Sequence, residues 1–359
     1  MLKPLELSRG LIPEDMLSQA LEQYGIMEYT TYPYLNMNGT VVPINRVSET
    51  SRKALVEDRE GNLYFLKEIP WYIRSIEHAV SIIQLQHELA QKAVRVPAVQ
   101  LTTSRELIVH AGNQSTLYLQ SYIPNGSIYN AQPQQIRAAG ALLGEFRVKA
   151  ASANSFQTLK LPEQSPYVST KDVLVLLLKK YMQKRNEMSK EDQEHVQRFV
   201  QVCKKLVDEW SVQHADRAEA VTSIAHGDLN PMNFIFSSDG SVSALIDFDN
   251  ACLSDSLVDL AEGLLTFSGI TYRYGSSRFE AVHELEPQPF RQFLEGYQEH
   301  HSLLAEEITV LPLLMGTTCI RLASLGLIRG DWPVSSASMH IDNIRNVVKN
   351  SRAYLSENY

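Results

Sequence analysis

The sequence predicts an α+β protein in two parts, a smaller β-rich part and then a larger, mostly helical one. Three observations predict it. Between residues 29 and 123, short apolar runs are separated by turn signals such as Asn38-Gly39 and Glu57-Asp-Arg-Glu-Gly61, with one long helical segment among them. From Pro133 onward the apolar residues fall at helical spacing instead. A single hairpin interrupts the helices, in the stretch IAHGDLNPMNFIFSSDGSVSALIDFDN that runs from Ile224 to Asn250. The boundary falls at Pro124-Asn-Gly126, which divides 1–124 from 125–359.

The elements follow in order. A helix is expected over 12–25. Pro13-Glu14-Asp15 opens it, Met16, Leu17, Ala20, Leu21 and Tyr24 share one face, and Gly25 stops it. Strands are expected over 29–35, 41–47, 53–56 and 63–69, then a helix over 73–92. Three more strands, at 99–101, 107–110 and 116–123, complete the β-rich part. Beyond the boundary, helices are expected over 133–150, 171–185 and 191–210, with a polar connection at 151–169. The last of these carries Val196, Phe199, Val200, Cys203, Val207 and Trp210 on one face, a core stripe. After the hairpin come helices at 256–267, 290–300 and 306–327, a polar aromatic loop Tyr272-Arg-Tyr-Gly275, and a closing surface helix at 343–355.

Composition excludes several classes. With 359 residues, 44% of them hydrophobic and 21% charged, the chain is an ordinary globular protein. A net charge of −8 argues against a nucleic-acid partner. Cys203, Cys252 and Cys319 are far apart and no C-x-x-C occurs, so neither a zinc site nor a disulfide framework is expected. A reducing cytoplasm is the natural setting. No signal-peptide core is legible, and apolar runs such as 173–178 are too short to cross a bilayer, so no membrane partner is expected.

The chemistry concentrates in the hairpin. His226-Gly-Asp228 is followed by Asn233 after five residues, and by Asp247-Phe-Asp249 fourteen residues later. A two-stranded ribbon places Asp228, Asn233 and Asp247 at one end. A carboxamide and a carboxylate can hold Mg²⁺ through oxygen, and a separate carboxylate can accept the proton of an attacking hydroxyl. The alternative for these acids is solvated turn residues.

This spacing resembles the aminoglycoside phosphotransferase/choline kinase-like superfamily, whose members show H-G-D-x-x-x-x-N and then I-D-F/W-D/E. The resemblance implies a bilobal protein kinase-like fold and an ATP- and Mg²⁺-dependent kinase acting on a small-molecule hydroxyl, with GTP open as donor. It implies that Asp228 is the catalytic carboxylate and that His226 holds the loop. Asn233 and Asp247 would be metal ligands, and Asp249 a second metal contact or a brace. Lys67, ending the run Leu63–Leu66, would grip the phosphates and pair with a helix glutamate, of which Glu77 is favoured over Glu88. The alternative for Lys67 is a surface lysine on an edge strand. No G-x-G-x-x-G precedes Lys67, so Ser48, Thr50 and Ser51 are the candidates over the phosphates. The adenine would lie against Gln120, Ser121, Tyr122 and Ile123. Asp259 would brace the catalytic loop, its alternative being a plain acid at a helix start. Arg321 stands open between an acceptor contact and an internal ion pair. A bacterial protein Ser/Thr kinase and a nucleotide-binding pseudokinase are the alternative functions. The acceptor and the oligomeric state are not legible.

Overall fold

The computed structural model describes residues 11–37, 40–44, 51–73, 75–112, 115–151, 158–215, 222–269 and 285–357. The turn Asn38-Gly39, Ser48, Thr50 and the loop Tyr272–Gly275 lie outside them. The helices are α1 (Glu14–Gln23), α2 (Ile76–Gln91), α3 (Pro133–Ala151), α4 (Pro166–Gln183), α5 (Lys190–Ala215), α6 (Val258–Ser268), α7 (Pro287–Gln298), α8 (Ala305–Arg329) and α9 (Ala337–Ser356). The strands are β1 (Tyr29–Tyr32), β2 (Tyr34–Met37), β3 (Thr40–Pro43), β4 (Lys53–Asp58), β5 (Leu63–Glu68), β6 (Val109–Ala111), β7 (Ser115–Ser121), β8 (Thr222–Ala225), β9 (Phe234–Phe236), β10 (Val242–Leu245) and β11 (Cys252–Asp255). The chain forms two compact units, and the class is α+β as the sequence predicts.

The first unit comprises Met1–Asn130, Ser152–Pro162 and Asn233–Ala251. Its centre is an antiparallel sheet of five strands in the order β1-β4-β5-β7-β6. Side chains alternate across a strand, so the sheet has two different faces. One face presents Ala54, Val56, Leu66, Leu117 and Leu119 to Met16, Leu17, Ala20 and Leu21 of α1. The other presents Lys53, Phe65, Lys67, Tyr118 and Gln120. There Ile83 of α2 packs with Val99 and Tyr118, and the Gln86 amide donates to Gln120 Oε1 at 2.8 Å. Two strand expectations change. Pro33 divides 29–35 into β1, which joins the sheet, and β2, which pairs with β3 in a separate hairpin. Residues 99–101 form no strand: next to Pro97, Val99 makes an isolated antiparallel bridge to Gln120, flanked by Ser121 N→Ala98 O and Gln100 N→Leu119 O, both 2.8 Å.

The second unit comprises Ala131–Ala151, Glu163–Met232 and Cys252–Tyr359. Helices α3 and α7 cross with their backbones touching: a Cβ on Gly140 would stand 2.0 Å from Phe293 O, and one on Gly296 2.0 Å from Arg137 O. Helix α6 is buried on every side, packed against α7 and α8. Helix α4 starts within the expected polar connection, since Pro166 in its first turn suits a helix start. Helix α8 is long and apolar enough to cross a membrane by length and composition, which the short apolar runs had not suggested. Most of it is buried against α4, α6 and α9, so its apolar surface already has a protein neighbour. Helix α9 is likewise more than a surface helix, since His340, Ile344, Val347, Ser351 and Leu355 are buried. A polar network joins α3, α7 and α8. Arg147 donates to Glu307 Oε1 at 2.7 Å, to Ser256 Oγ at 3.2 Å and to Tyr297 Oη.

Candidate active site

In the first unit the chemistry gathers around Lys67. Strand β4 turns into β5 through Gly61 at φ +84°, with Asp58 Oδ1 accepting from the N–H groups of Glu60 and Asn62. That turn sets the register in which Lys67 faces Tyr118 on one side and Lys53 on the other. Lys67 is 3% exposed, so the surface-lysine alternative falls away. Its Nζ lies 2.5 Å from Asp247 Oδ1 and 2.6 Å from Asp249 Oδ2. Burial alone would pull the Lys67 pKa down, but the two carboxylates outweigh it and hold it well above the usual lysine range. Asp247 moves the opposite way. Burial raises it, yet Lys67 and Lys53 together leave it well below the carboxylate range. Asp249 is pushed up to about 6 by burial, against the pull of Lys67 and with the charge of Asp247 adding to the rise.

The hairpin β9–β10 brings those acids there. Leu245 pairs with Phe234, and Ile246 N donates to Asn233 O at 2.9 Å, so Asn233 and Asp247 stand together at the hairpin mouth. Asp247 then takes a left-handed conformation, φ +68° and ψ 61°, before the short turn Phe248–Asn250. This costly conformation for a residue with a Cβ turns the chain so that both Asp247 and Asp249 meet Lys67. Both hairpin edges are fastened. Ser127 exchanges two backbone bonds with Phe236, Leu245 N donates to Arg95 O, and the Arg95 guanidinium donates to Val242 O. Asn233 and Asp247 offer oxygen donors of the kind a hard divalent cation takes, with room left for water and phosphate ligands. Among the described residues no group of three or more His, Cys, Asp and Glu could form a protein-only metal cage.

Glu77 is not brought to Lys67. It lies exposed in the first turn of α2, where Ser75 Oγ donates to it at 3.4 Å, and Asp247 and Asp249 take the place expected for it. The physical reason is position. Glu77 opens its helix, and Ser75 beside it is the N-cap. At the expected adenine edge, Ser121 N donates to Ala98 O and Tyr122 N to Leu63 O, so these two N–H groups serve the unit's own sheet. The Gln120 side chain is held by Gln86. Ser51 is buried at the entrance to β4, 3% exposed.

In the second unit, β8 pairs with β11 and delivers His226-Gly-Asp228 at its end. Gly227 has φ +78°, which explains glycine at that position. Asp259, in the first turn of α6, accepts from His226 N at 2.6 Å and from Gly227 N at 3.0 Å. Two backbone donors satisfy a carboxylate only 4% exposed. Its pKa is still raised, because burial outweighs His226 and those two bonds. His226 is fully buried. Sequence reasoning missed Asn230. Its Nδ2 donates to Asp228 Oδ1 at 2.9 Å, while its own Oδ1 accepts from Met232 N at 3.0 Å. The only signal was its place two residues beyond Asp228. Also missed was Glu262, which meets Arg321 Nη2 through Oε1 at 3.0 Å and is 3% exposed. Of the two roles open for Arg321, the ion pair is the one seen. Glu262 is pushed up to about 7 by burial, opposed by Arg321, with Asp228 and Asp259 adding to the rise.

Two comparisons with known proteins agree with this geometry. Residues 41–305 match the phosphotransferase enzyme family. Among solved structures, an amicoumacin kinase in complex with AMP-PNP, Ca²⁺ and Ami aligns with a TM-score of 0.61 at 16% identity, over 84% of this chain and 86% of that one. A microcompartment-associated aminopropanol kinase aligns at 0.62 and 14% identity, over 95% and 97%. A choline kinase from Cryptosporidium parvum aligns at 0.56 and 12% identity, over 98% and 93%. These identities establish a shared fold. No curated protein sequence matches the chain. On the family match, which spans most of its length, the chain belongs to the phosphotransferase enzyme family and is a kinase-type phosphotransferase.

Proposed function

We propose that the protein transfers the γ-phosphoryl group of ATP, in a Mg²⁺-dependent reaction, to a hydroxyl of a small metabolite such as a sugar, amino sugar, aminoglycoside or amino alcohol. The observation that carries this reading is the buried Lys67 held on Asp247 and Asp249 at the mouth of a hairpin that also supplies Asn233. A buried ammonium is costly unless paired, and a cation paired with carboxylates that can also ligate a metal suits a metal-bound polyphosphate. Asn233 and Asp247 would hold the metal. When bound, Mg²⁺ neutralises the negative charge of the phosphate oxygens. Lys67 grips the donor phosphates and trades part of its carboxylate contact for phosphate oxygen. Asp228, oriented by Asn230, aligns the acceptor hydroxyl and takes its proton late. Gly227 and Asp259 keep the loop in the conformation that aims Asp228. The amine-bearing acceptors named for the aminopropanol and choline kinases support a small polar acceptor here. Three buried free cysteines suit a reducing, cytoplasmic setting.

The test is Mg²⁺-dependent ATP consumption across a panel of sugars, amino sugars, aminoglycosides and amino alcohols. Asp228→Ala is expected to abolish turnover and keep nucleotide affinity. Asp247→Ala is expected to lose Mg²⁺-dependent nucleotide binding. Near-normal turnover in Asp228→Ala would remove it from the mechanism. Label transferred to protein and to no metabolite would turn the reading to a protein kinase.

A further inference from the structure

Lys53 is a buried cation that this reaction leaves unused. It opens β4 and is 5% exposed; its backbone oxygen accepts from Ile12 N at 3.4 Å, while among the described residues its ammonium makes no hydrogen bond and no salt bridge. Its Nζ lies over the Phe65 ring, 6.0 Å from the centroid. Ser51 lies two residues ahead of Lys53, just before β4, and Arg52 between them pairs with Glu68 at 2.7 and 2.8 Å. Ser51 is 3% exposed, and among the described residues its hydroxyl has no hydrogen-bond partner. The register sets Lys53 directly opposite Lys67. Two lysines thus stand side by side on neighbouring strands, their Cβ atoms about 5 Å apart. Only Lys67 has carboxylates in contact.

An ammonium buried without an acceptor is costly, and like charges directly across a strand pair repel. Burial and the Lys67 charge do pull Lys53 down, to about 8, while Asp247 and Asp249 act the other way. An unmatched cation opposite Lys67, with a buried hydroxyl two residues ahead of it in the chain, is complementary to a further anion. We propose that Lys53, with the Ser51 hydroxyl, is a second phosphate-binding group that takes the β- and γ-phosphate oxygens of the nucleotide alongside Lys67. This rests on the nucleotide reading above. It also gives the chain, which has no G-x-G-x-x-G ahead of Lys67, a side-chain source of phosphate contacts.

The test is calorimetric titration of the wild-type, Lys53→Met and Ser51→Ala proteins with Mg·ADP, Mg·ATP, AMP and adenosine, with melting curves of the free proteins. Lys53→Met is expected to weaken Mg·ADP and Mg·ATP about ten-fold or more, the worth of one charge-assisted hydrogen bond, and to leave adenosine within about two-fold. Ser51→Ala should show the same selectivity at smaller size. The free Lys53→Met protein should melt higher than wild type, because methionine removes an uncompensated buried charge. Unchanged Mg·ATP affinity in Lys53→Met overturns the proposal. So does a parallel loss of adenosine and ATP affinity, or a lower melting temperature, each of which makes Lys53 structural. Wild-type protein that binds no nucleotide at all overturns the nucleotide reading and this proposal together.

Discussion

Asp228 does not aim itself. Its Oδ1 takes a hydrogen bond from Asn230, and Asn230 in turn is fixed by the N–H of Met232. Asn230→Ala removes that restraint and, with it, the acceptor of Met232 N. A fall in kcat of about ten- to one-hundred-fold is expected, with nucleotide Kd unchanged, in line with losing one positioning bond in a reaction dominated by alignment. Steady-state kinetics with nucleotide titration checks this, and a fall in nucleotide affinity of the same size would contradict it. At this scale the sequence was partly legible. The types and spacing of His226, Asp228, Asn233, Asp247 and Lys67 could be read, because each lies in a short motif. The partner of Lys67 could not. Glu77 is near in sequence and on a helix, but Asp247 is 180 residues away and reaches Lys67 through a left-handed turn that an aspartate does not announce.

At the scale of the element, α6 is a rail for the catalytic loop. Asp259 receives His226 and Gly227. One turn on, Gly263 leaves room where a Cβ would stand 2.8 Å from Leu229 Cδ2, and Thr266 Oγ1 donates to Leu229 O at 3.0 Å. These residues recur at helical spacing and so share one face. Glu262 belongs to the same helix and gives it a pH signature. Its pKa rises from 4.5 in the unfolded chain to about 7 in the folded one. Below about pH 4.5 the group is protonated in both states. Between 4.5 and 7 the folded state holds the proton that the unfolded state releases, so stability falls as pH rises through that window and levels off above it. Glu262→Gln should match wild type near pH 4.5 and gain on it toward pH 7, as melting temperatures across the range would show. A constant difference across the range would mean that Glu262 does not titrate there. Helix existence in this part was legible from apolar spacing. The resemblance implied the bracing role of Asp259, but not the further contacts of Gly263 and Thr266 with Leu229, because an apolar helix buried on all sides shows no amphipathic pattern to say which face meets the loop.

At the scale of the whole molecule, the chain passes repeatedly between its two units, and the catalytic motif is divided by their boundary. Asp228 belongs to the second unit, and Asn233 and Asp247 to the first. A ligand bound only by the folded protein stabilises it by mass action, about 2.7 kcal/mol at one hundred times Kd. Mg·ATP should therefore raise the melting temperature by several degrees. The rise should shrink when EDTA replaces Mg²⁺ and vanish in Asp247→Ala. An equal rise with and without Mg²⁺ would argue against Asn233 and Asp247 as metal ligands.

The sequence by itself determined the α+β class, the order of most elements, the hairpin and the residues of the kinase motif. Each of these is written in local quantities: alternation, helical spacing, turn chemistry and short intervals. Only the tertiary structure decided that Lys67 rests on Asp247 and Asp249, that Lys53 lies unmatched beside it, that Arg321 answers Glu262, and that α8 spends its apolar surface inside the protein. Those outcomes depend on strand register and helix packing between residues far apart in the chain, and burial sets the strength of every charge involved. A single sequence records the side chains but not which distant ones will share a low-dielectric interior.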